Sequence, residues 1–141
     1  MSTSEQAIRR LMFRYAELQD AADFDSVAEL FSHGIFQRGD GKSFLGPEVS
    51  AHRKRSNILH DGSLATKHVT TNITIEVDEE NNSASAESYY TVFQGTDELA
   101  LQPIVAGRYH DHFERIDGEW RFLYRRSHVD LVGRIETHRA F

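Results

Sequence analysis

Asp20 and His68 are the two side chains whose types and positions could carry proton-transfer chemistry. The apolar spacing over residues 4–20 predicts an amphipathic helix, and Asp20 falls at its carboxyl-terminal end. The helix dipole disfavours a carboxylate there unless a cation compensates, and His68 would supply that cation if its strand begins over the helix end. The carboxylate would then fix the imidazole tautomer and leave the other ring nitrogen as a general base. From the residues alone, an alternative interpretation is that Asp20 is a surface residue at the helix end and that His68 is a histidine of an edge strand.

Tyr15 could act beside such a pair. It shares the apolar stripe of the first helix with Leu11 and Leu18, so a core tyrosine is one interpretation. The other places its phenol at the floor of a pocket, where it would donate a hydrogen bond to a substrate carbonyl and stabilise an enolate.

The last β-rich segment offers an arginine for substrate binding. If Trp120 and the aromatic residues that alternate with it face a pocket, the period of two turns Arg126 inward and Arg125 outward. An inward arginine would bind a carboxylate or another oxyanion. A bulge would exchange the two arginines, and solvent-facing salt bridges for both are the alternative.

These residues must be positioned by helices followed by strands. Three helices are predicted, at residues 4–20, after the N-cap candidate Asp23, and from Gly46-Pro47 to about Leu59, with Thr3 and Gln6 as a capping box for the first. Short strands at 34–37 and 43–45 and long β-rich segments at 66–78, 83–94, 104–116 and 120–132 account for most of the remaining chain. This order predicts an α+β fold with the helices on one face of a mainly antiparallel sheet.

The parity of the 66–78 segment conflicts with an inward-facing His68. His68 and Asn72 share one parity, whereas Ile73, Ile75 and Val77 have the opposite one. Either the strand bulges near Asn72, or His68 does not face the pocket.

Composition limits the partners. The net charge of −6 offers no electrostatic footprint for nucleic acid, and no apolar run approaches the roughly 20 residues that span a bilayer. The absence of cysteine excludes disulfides and suits a cytoplasmic protein, and the polar N-terminus predicts no secretory signal. His110 and His112 share one strand face, but zinc would need a third convergent ligand. We therefore expect no metal and no cofactor.

Short motifs follow one another along nearly the whole chain. They are Tyr15 to Asp20, Phe44-Leu45-Gly46-Pro47, His68-Val69-Thr70-Thr71-Asn72, Gly107-Arg108-Tyr109-His110-Asp111 and Asp117-Gly118-Glu119-Trp120-Arg121-Phe122. In this order they resemble the SnoaL-like and scytalone-dehydratase-like branch of the NTF2-like superfamily. The resemblance implies one domain over residues 1–141, cone-shaped, with three N-terminal helices on a curved sheet that encloses a pocket.

The resemblance also implies a site. Dehydratases and dehydrochlorinases of similar fold use an Asp–His pair, here Asp20 and His68, with Tyr15 as the oxyanion donor. Several relatives carry a second acidic residue or histidine on the strand after the histidine, where this chain offers only Ser88 or Tyr90. The remaining pocket and substrate-binding candidates are Phe31, Phe36, Asn72, Tyr90, Phe113, Trp120 and Arg126.

The expected function is that of a cofactor-independent lyase or isomerase, of dehydratase, ketosteroid-isomerase or polyketide-cyclase type. Its ligand would be a small, hydrophobic and cyclic molecule. The alternatives are a non-catalytic ligand-binding module and an accessory subunit resembling the β subunit of ring-hydroxylating dioxygenases. A homodimer or homotrimer is expected, because an open sheet leaves a face and edges that proteins usually cover.

Overall fold

Helices precede a six-stranded sheet in a computed structural model that describes residues 1–140. The elements are α1 (Thr3–Asp20), α2 (Phe24–Leu30), β1 (Ile35–Arg38), β2 (Ser43–Leu45), α3 (Gly46–Ser56), β3 (Thr66–Asp78), β4 (Ser83–Gln94), β5 (Gln102–Ile116) and β6 (Glu119–Val132). The strand order is β2-β1-β6-β5-β4-β3, and every pairing is antiparallel except that of β1 with β6. The predicted α+β architecture is therefore confirmed.

The helix ends follow local capping chemistry. Ser2, not Thr3, caps α1, because its hydroxyl accepts a hydrogen bond from the Glu5 backbone N–H at 3.1 Å. Asp23 caps α2 as predicted, through the Ser26 backbone N–H at 3.2 Å. Helix α3 ends at Ser56, earlier than the predicted Leu59, because Asn57 is already extended.

A bulge in β3 resolves the parity conflict. The pairing of β3 with β4 shifts between Thr71 and Thr74, and Asn72 has a φ of 51°. The extra residue turns His68 and Ile73 toward the same face of the sheet. Asn72 itself is exposed, so its predicted place in the pocket is corrected.

A second bulge reverses the predicted arginine directions in β6. The pairing of β5 with β6 shifts so that Phe113 faces Phe122 while His112 faces Tyr124, and this leaves Leu123 without a partner. Arg125 is consequently fully buried. Arg126 lies on the exposed face, where its Nε donates to the Gln37 Oε1 at 2.7 Å. The predicted inward orientation of Arg126 is therefore wrong, and the bulge alternative applies.

One end of the interior, near the β5–β6 turn, is filled by aromatic rings. The Phe122 ring packs between Phe31 and Phe113, with centroid distances of 4.9 and 4.8 Å. Trp120 lies beyond them, half-buried, with the Arg115 guanidinium 4.8 Å from its ring centroid. A cavity lies toward the opposite end of these strands. None of the helices within residues 1–140 is both long and apolar enough to cross a membrane.

Candidate functional site

A cavity of about 490 Å³ lies between α1, α3, the concave face of the sheet and the C-terminal segment, within the size range of small-molecule sites. Its apolar and aromatic lining consists of Tyr15, Phe36, Tyr90, Val92, Val105, Tyr109, Val129, Val132 and Ile135. Its ionisable lining consists of Arg38, Asp40, His52, Arg53, His68, Arg108, His128, Asp130, His138 and Arg139. The cavity thus combines an apolar body with many cationic groups.

Asp20 and His68 meet beside this cavity: His68 belongs to its lining, and Asp20 contacts His68. Asp20 is the last residue of α1 and His68 is the third residue of β3, so the strand begins over the helix end. The His68 Nδ1 lies 2.5 Å from the Asp20 Oδ1, and the backbone N–H of His68 donates to the same carboxylate at 3.0 Å. The Thr66 hydroxyl adds a third donor at 2.8 Å. These bonds orient the imidazole with Nδ1 toward the carboxylate.

The surroundings of Asp20 favour its charged form. Burial would raise the pKa of this carboxyl, but the hydrogen bond and the charge of His68 outweigh burial and lower its pKa. The carboxylate therefore stays ionised at neutral pH and holds the proton of His68 on Nδ1. The His68 Nε2 has no hydrogen-bond partner among the described residues and is free to accept a proton from a ligand.

Three tyrosine rings form one wall. Tyr90 stacks on Tyr109 at a centroid distance of 4.3 Å, and Tyr15 meets Tyr109 edge-on at 5.9 Å. Gly107 makes this wall possible, because a Cβ at that position would lie 2.6 Å from the Tyr90 hydroxyl. Tyr15 is both buried and part of the cavity lining, so its two interpretations from sequence are compatible. Its hydroxyl makes no hydrogen bond within residues 1–140.

A buried ion pair supports the tyrosine wall from behind. The guanidinium of Arg125 donates two hydrogen bonds of 2.8 Å to Asp111, and both side chains are fully excluded from solvent. Its Cζ lies 3.6 Å from the Tyr109 ring centroid and 4.5 Å from that of Tyr15. Burial alone would lower the pKa of Arg125, but the Asp111 carboxylate outweighs it and holds the pKa above the usual value. Arg125 thus positions the tyrosines and does not line the cavity.

The C-terminal segment closes the cavity with residues that the sequence analysis did not identify. The backbone N–H of Ile58 donates to the His138 carbonyl, and that of Ala140 donates to the Ser56 carbonyl, each at 2.9 Å. This pairing holds His138 and Arg139 in the cavity lining. The sequence shows two adjacent basic side chains there, His138 and Arg139. They lie outside any helical or strand pattern, so the sequence does not predict where they point.

His138 is a second histidine in the cavity lining, and it comes from the C-terminal segment and not from β4. The residue is only 4% exposed, and burial, followed by the charge of Arg139, lowers its pKa to about 4. Of the two expected substitutes, Tyr90 lines the cavity whereas Ser88 is buried in the sheet.

The predicted site residues divide into two groups. The structure brings His68, Tyr15, Tyr90 and Phe36 into the lining of one cavity, and Asp20 contacts this lining through His68. It places Phe31 and Phe113 in the filled aromatic end, and Trp120 beyond them, so their predicted roles in the lining are corrected. Their side chains point to the interior face as predicted, but the cavity lies at the other end of the sheet.

Comparison with known proteins identifies similar sequences and folds. The model of the SnoaL-like domain family matches residues 1–126. A protein of unknown function from Mycobacterium tuberculosis is 25% identical, with a TM-score of 0.72 over 92% of this chain and 73% of the other. A candidate scytalone dehydratase from Novosphingobium aromaticivorans is 22% identical, with a TM-score of 0.69 over 91% of this chain and 85% of the other.

A further similar structure comes from a different functional class. The β subunit of a candidate aromatic-ring-hydroxylating dioxygenase from Novosphingobium aromaticivorans is 22% identical, with a TM-score of 0.71 over 95% of this chain and 93% of the other. No curated protein matches the chain. Another similar structure is described as an NTF2-like protein with a cystatin-like fold, and a further one as a protein with a cystatin-like fold, which agrees with the fold expected from the sequence.

Proposed function

Because the chain belongs to the SnoaL-like domain family, we propose that its cavity is the active site of a cofactor-independent lyase or isomerase. The observation that carries the proposal is the 2.5 Å contact between the His68 Nδ1 and Asp20, while the opposite ring nitrogen of this lining residue has no hydrogen-bond partner within residues 1–140. A buried carboxylate behind a histidine is the arrangement that makes imidazole a general base. A histidine that served only to pack would not need its Nδ1 held by an ionised group.

The reaction begins with proton abstraction. The His68 Nε2 takes a proton from a carbon next to a carbonyl, and the electron pair moves into the carbonyl to form an enolate. Asp20 stabilises the imidazolium that results. The Tyr15 hydroxyl donates a hydrogen bond to the enolate oxygen.

The proton that His68 holds then completes the reaction. In an isomerase the imidazolium returns it to a different carbon of the enolate. In a dehydratase the electron pair expels a hydroxyl group from the next carbon, and the imidazolium protonates the leaving oxygen to give water. Either course restores neutral His68 without an oxidant or a metal ion.

The lining supports a small hydrophobic substrate with a ring. Tyr15, Phe36 and Tyr90 offer flat faces to a cyclic ligand, and the valines of β4, β5 and β6 add an apolar surface. The cavity also distinguishes this proposal from that of an accessory subunit, for which we would expect a filled pocket.

Exchange of carbon-bound hydrogen in D2O tests the proposal. Cyclic ketones such as 2-tetralone would first be screened for binding, and the exchange of their α-protons would then be followed by NMR. We expect the wild type to accelerate exchange over buffer and His68→Ala to lose about 10² to 10⁴ of that acceleration.

The control is His33→Ala, which removes an exposed histidine outside the cavity and should leave the rate unchanged. Ketones that bind in the cavity but exchange at the buffer rate would contradict catalysis and favour the binding-module alternative.

A further inference from the structure

Arg53 is a buried cation with no acidic partner. It lies in the last turn of α3 and is only 7% exposed, yet it lines the cavity. Its guanidinium is held 4.5 Å from the Phe36 ring centroid and 5.3 Å from that of Tyr15. Its Nη1 donates to the side-chain carbonyl of Gln19, which is neutral. Within residues 1–140, no carboxylate oxygen lies within salt-bridge distance of this guanidinium.

The other arginines near the cavity are all neutralised, with one exception. Arg38 pairs with Asp40, Arg108 with Asp130 and the deeper Arg125 with Asp111. Burying a cation without a counterion is costly, and proteins normally supply an acid. Among the described residues this chain supplies none for Arg53, although its overall charge is −6.

The exception is Arg139, which makes the cationic excess larger. Arg139 lines the same cavity and has no carboxylate partner in the described part of the chain. Burial, followed by the positive charges of Arg38, Arg53 and Arg139, lowers the pKa of His52, which also lines the cavity. The acids of the lining, Asp40 and Asp130, pair with Arg38 and Arg108, so among the described residues Arg53 and Arg139 are left without a counterion.

We propose that Arg53 and Arg139 bind a carboxylate of the substrate, so that the ligand is a cyclic carboxylic acid in its ionised form. A guanidinium matches a carboxylate with two parallel hydrogen bonds, and the apolar lining suits a ring attached to it. Gln19 fits this role, because its amide orients Arg53 without neutralising the charge. The inference rests on the proposed function in taking this cavity as the active site.

The same helix end positions the carboxylate site and the base. Gln19 holds Arg53, and the next residue, Asp20, holds His68. An anion bound to Arg53 would therefore anchor the substrate at a fixed distance from the His68 Nε2. Such anchoring places one ring carbon in front of the base and gives the reaction its position on the substrate.

Binding of 2-naphthoate and its neutral isostere 2-naphthamide tests the inference by calorimetry. Hydrogen bonds to charged groups contribute enough that we expect wild type to bind the naphthoate at least about tenfold more tightly than the amide. Arg53→Gln should reduce this preference to about twofold or less while the affinity for the amide changes little. Arg139→Gln should reduce it in part.

Two further variants separate charge recognition from folding. Gln19→Glu places a carboxylate on Arg53 without removing it, and should abolish the preference while raising the melting temperature of the free protein. Arg126→Gln removes an equal charge from the outer face and should leave the preference intact. The inference would be overturned if the wild type bound naphthoate and naphthamide equally well. It would also be overturned if the preference for naphthoate survived both Arg53→Gln and Gln19→Glu, or if inorganic sulfate bound more tightly than naphthoate.

The test is independent of the proposed reaction. The carboxylate preference is measured by binding alone, and His33→Ala, which removes an exposed histidine outside the cavity, should keep it. A retained carboxylate preference in a protein that never exchanges carbon-bound hydrogen would contradict only the proposed reaction. Exchange that proceeds without any carboxylate preference would contradict only this inference.

Discussion

Replacing Asp20 by Asn tests whether the carboxylate acts through His68. The amide has nearly the same shape, and its oxygen can still accept hydrogen bonds from the Thr66 hydroxyl and the His68 backbone N–H. What it removes is the negative charge beside the His68 Nδ1. The variant should therefore fold, keep the imidazole in place and lose only the group that stabilises the imidazolium.

The magnitude follows from burial and geometry. The side chains of His68 and Asp20 are only 9% and 15% exposed, so solvent screens their interaction weakly. A hydrogen bond to a charged group contributes about 1.5–3 kcal/mol, which corresponds to a loss of roughly 10- to 150-fold in rate for Asp20→Asn. Loss of the base itself in His68→Ala should cost about 10² to 10⁴.

The double variant gives the decisive measurement. If Asp20 acts only through His68, then Asp20→Asn combined with His68→Ala should be little slower than His68→Ala alone. Rates of exchange in D2O would be measured for all four proteins on one bound ketone, with circular dichroism confirming that each is folded. Losses that simply add would refute the pair as a catalytic unit, and unchanged rates in both single variants would place the chemistry elsewhere.

Two further predictions concern stability. Arg125→Met should lower the free energy of unfolding by about 3–5 kcal/mol in urea titrations, because it leaves Asp111 buried and unpaired. Combining it with Asp111→Leu should recover most of the lost stability. A double variant no more stable than Arg125→Met alone would contradict this explanation. The pKa of His138 is lowered from 6.5 to about 4 in the folded protein, so between these pH values the imidazole binds a proton in the unfolded state and not in the folded one. The free energy of unfolding should therefore fall as the pH drops from 6.5 toward 4, by at most about 3 kcal/mol. His138→Gln should remove that part of the slope, and identical pH profiles for the two proteins would show that His138 is not buried as described.

The outer face of the sheet has exposed apolar residues that favour the predicted homo-oligomer. Tyr89 and Leu131 are apolar or aromatic and exposed there. Faces of this kind are usually covered in proteins, so the homodimer or homotrimer expected from the sequence remains a proposal.

Local sequence patterns were enough to predict the helices and strands and the position of Asp20 at a helix end. The apolar spacing of α1 placed Asp20 at the helix end and Tyr15 on the buried stripe, and the β-rich segments gave the four long strands nearly to the residue. These features depend on local periodicity, because the spacing of apolar side chains along one segment decides which face it buries. The pairing of Asp20 with His68 needed the family resemblance as well, because periodicity does not say which strand begins over the helix.

Which residues face the cavity depends on contacts between strands that are distant in the sequence. The bulge at Asn72 turned His68 inward, and the bulge at Leu123 exchanged Arg125 with Arg126. Both bulges arise from the register between neighbouring strands, which the periodicity of a single strand does not contain. Arg139 reaches the cavity because the C-terminal segment pairs with the chain at the end of α3 and just after it, a long-range contact. The lack of a counterion for an arginine can be recognised only in the folded structure, because the sequence does not show which side chains surround it.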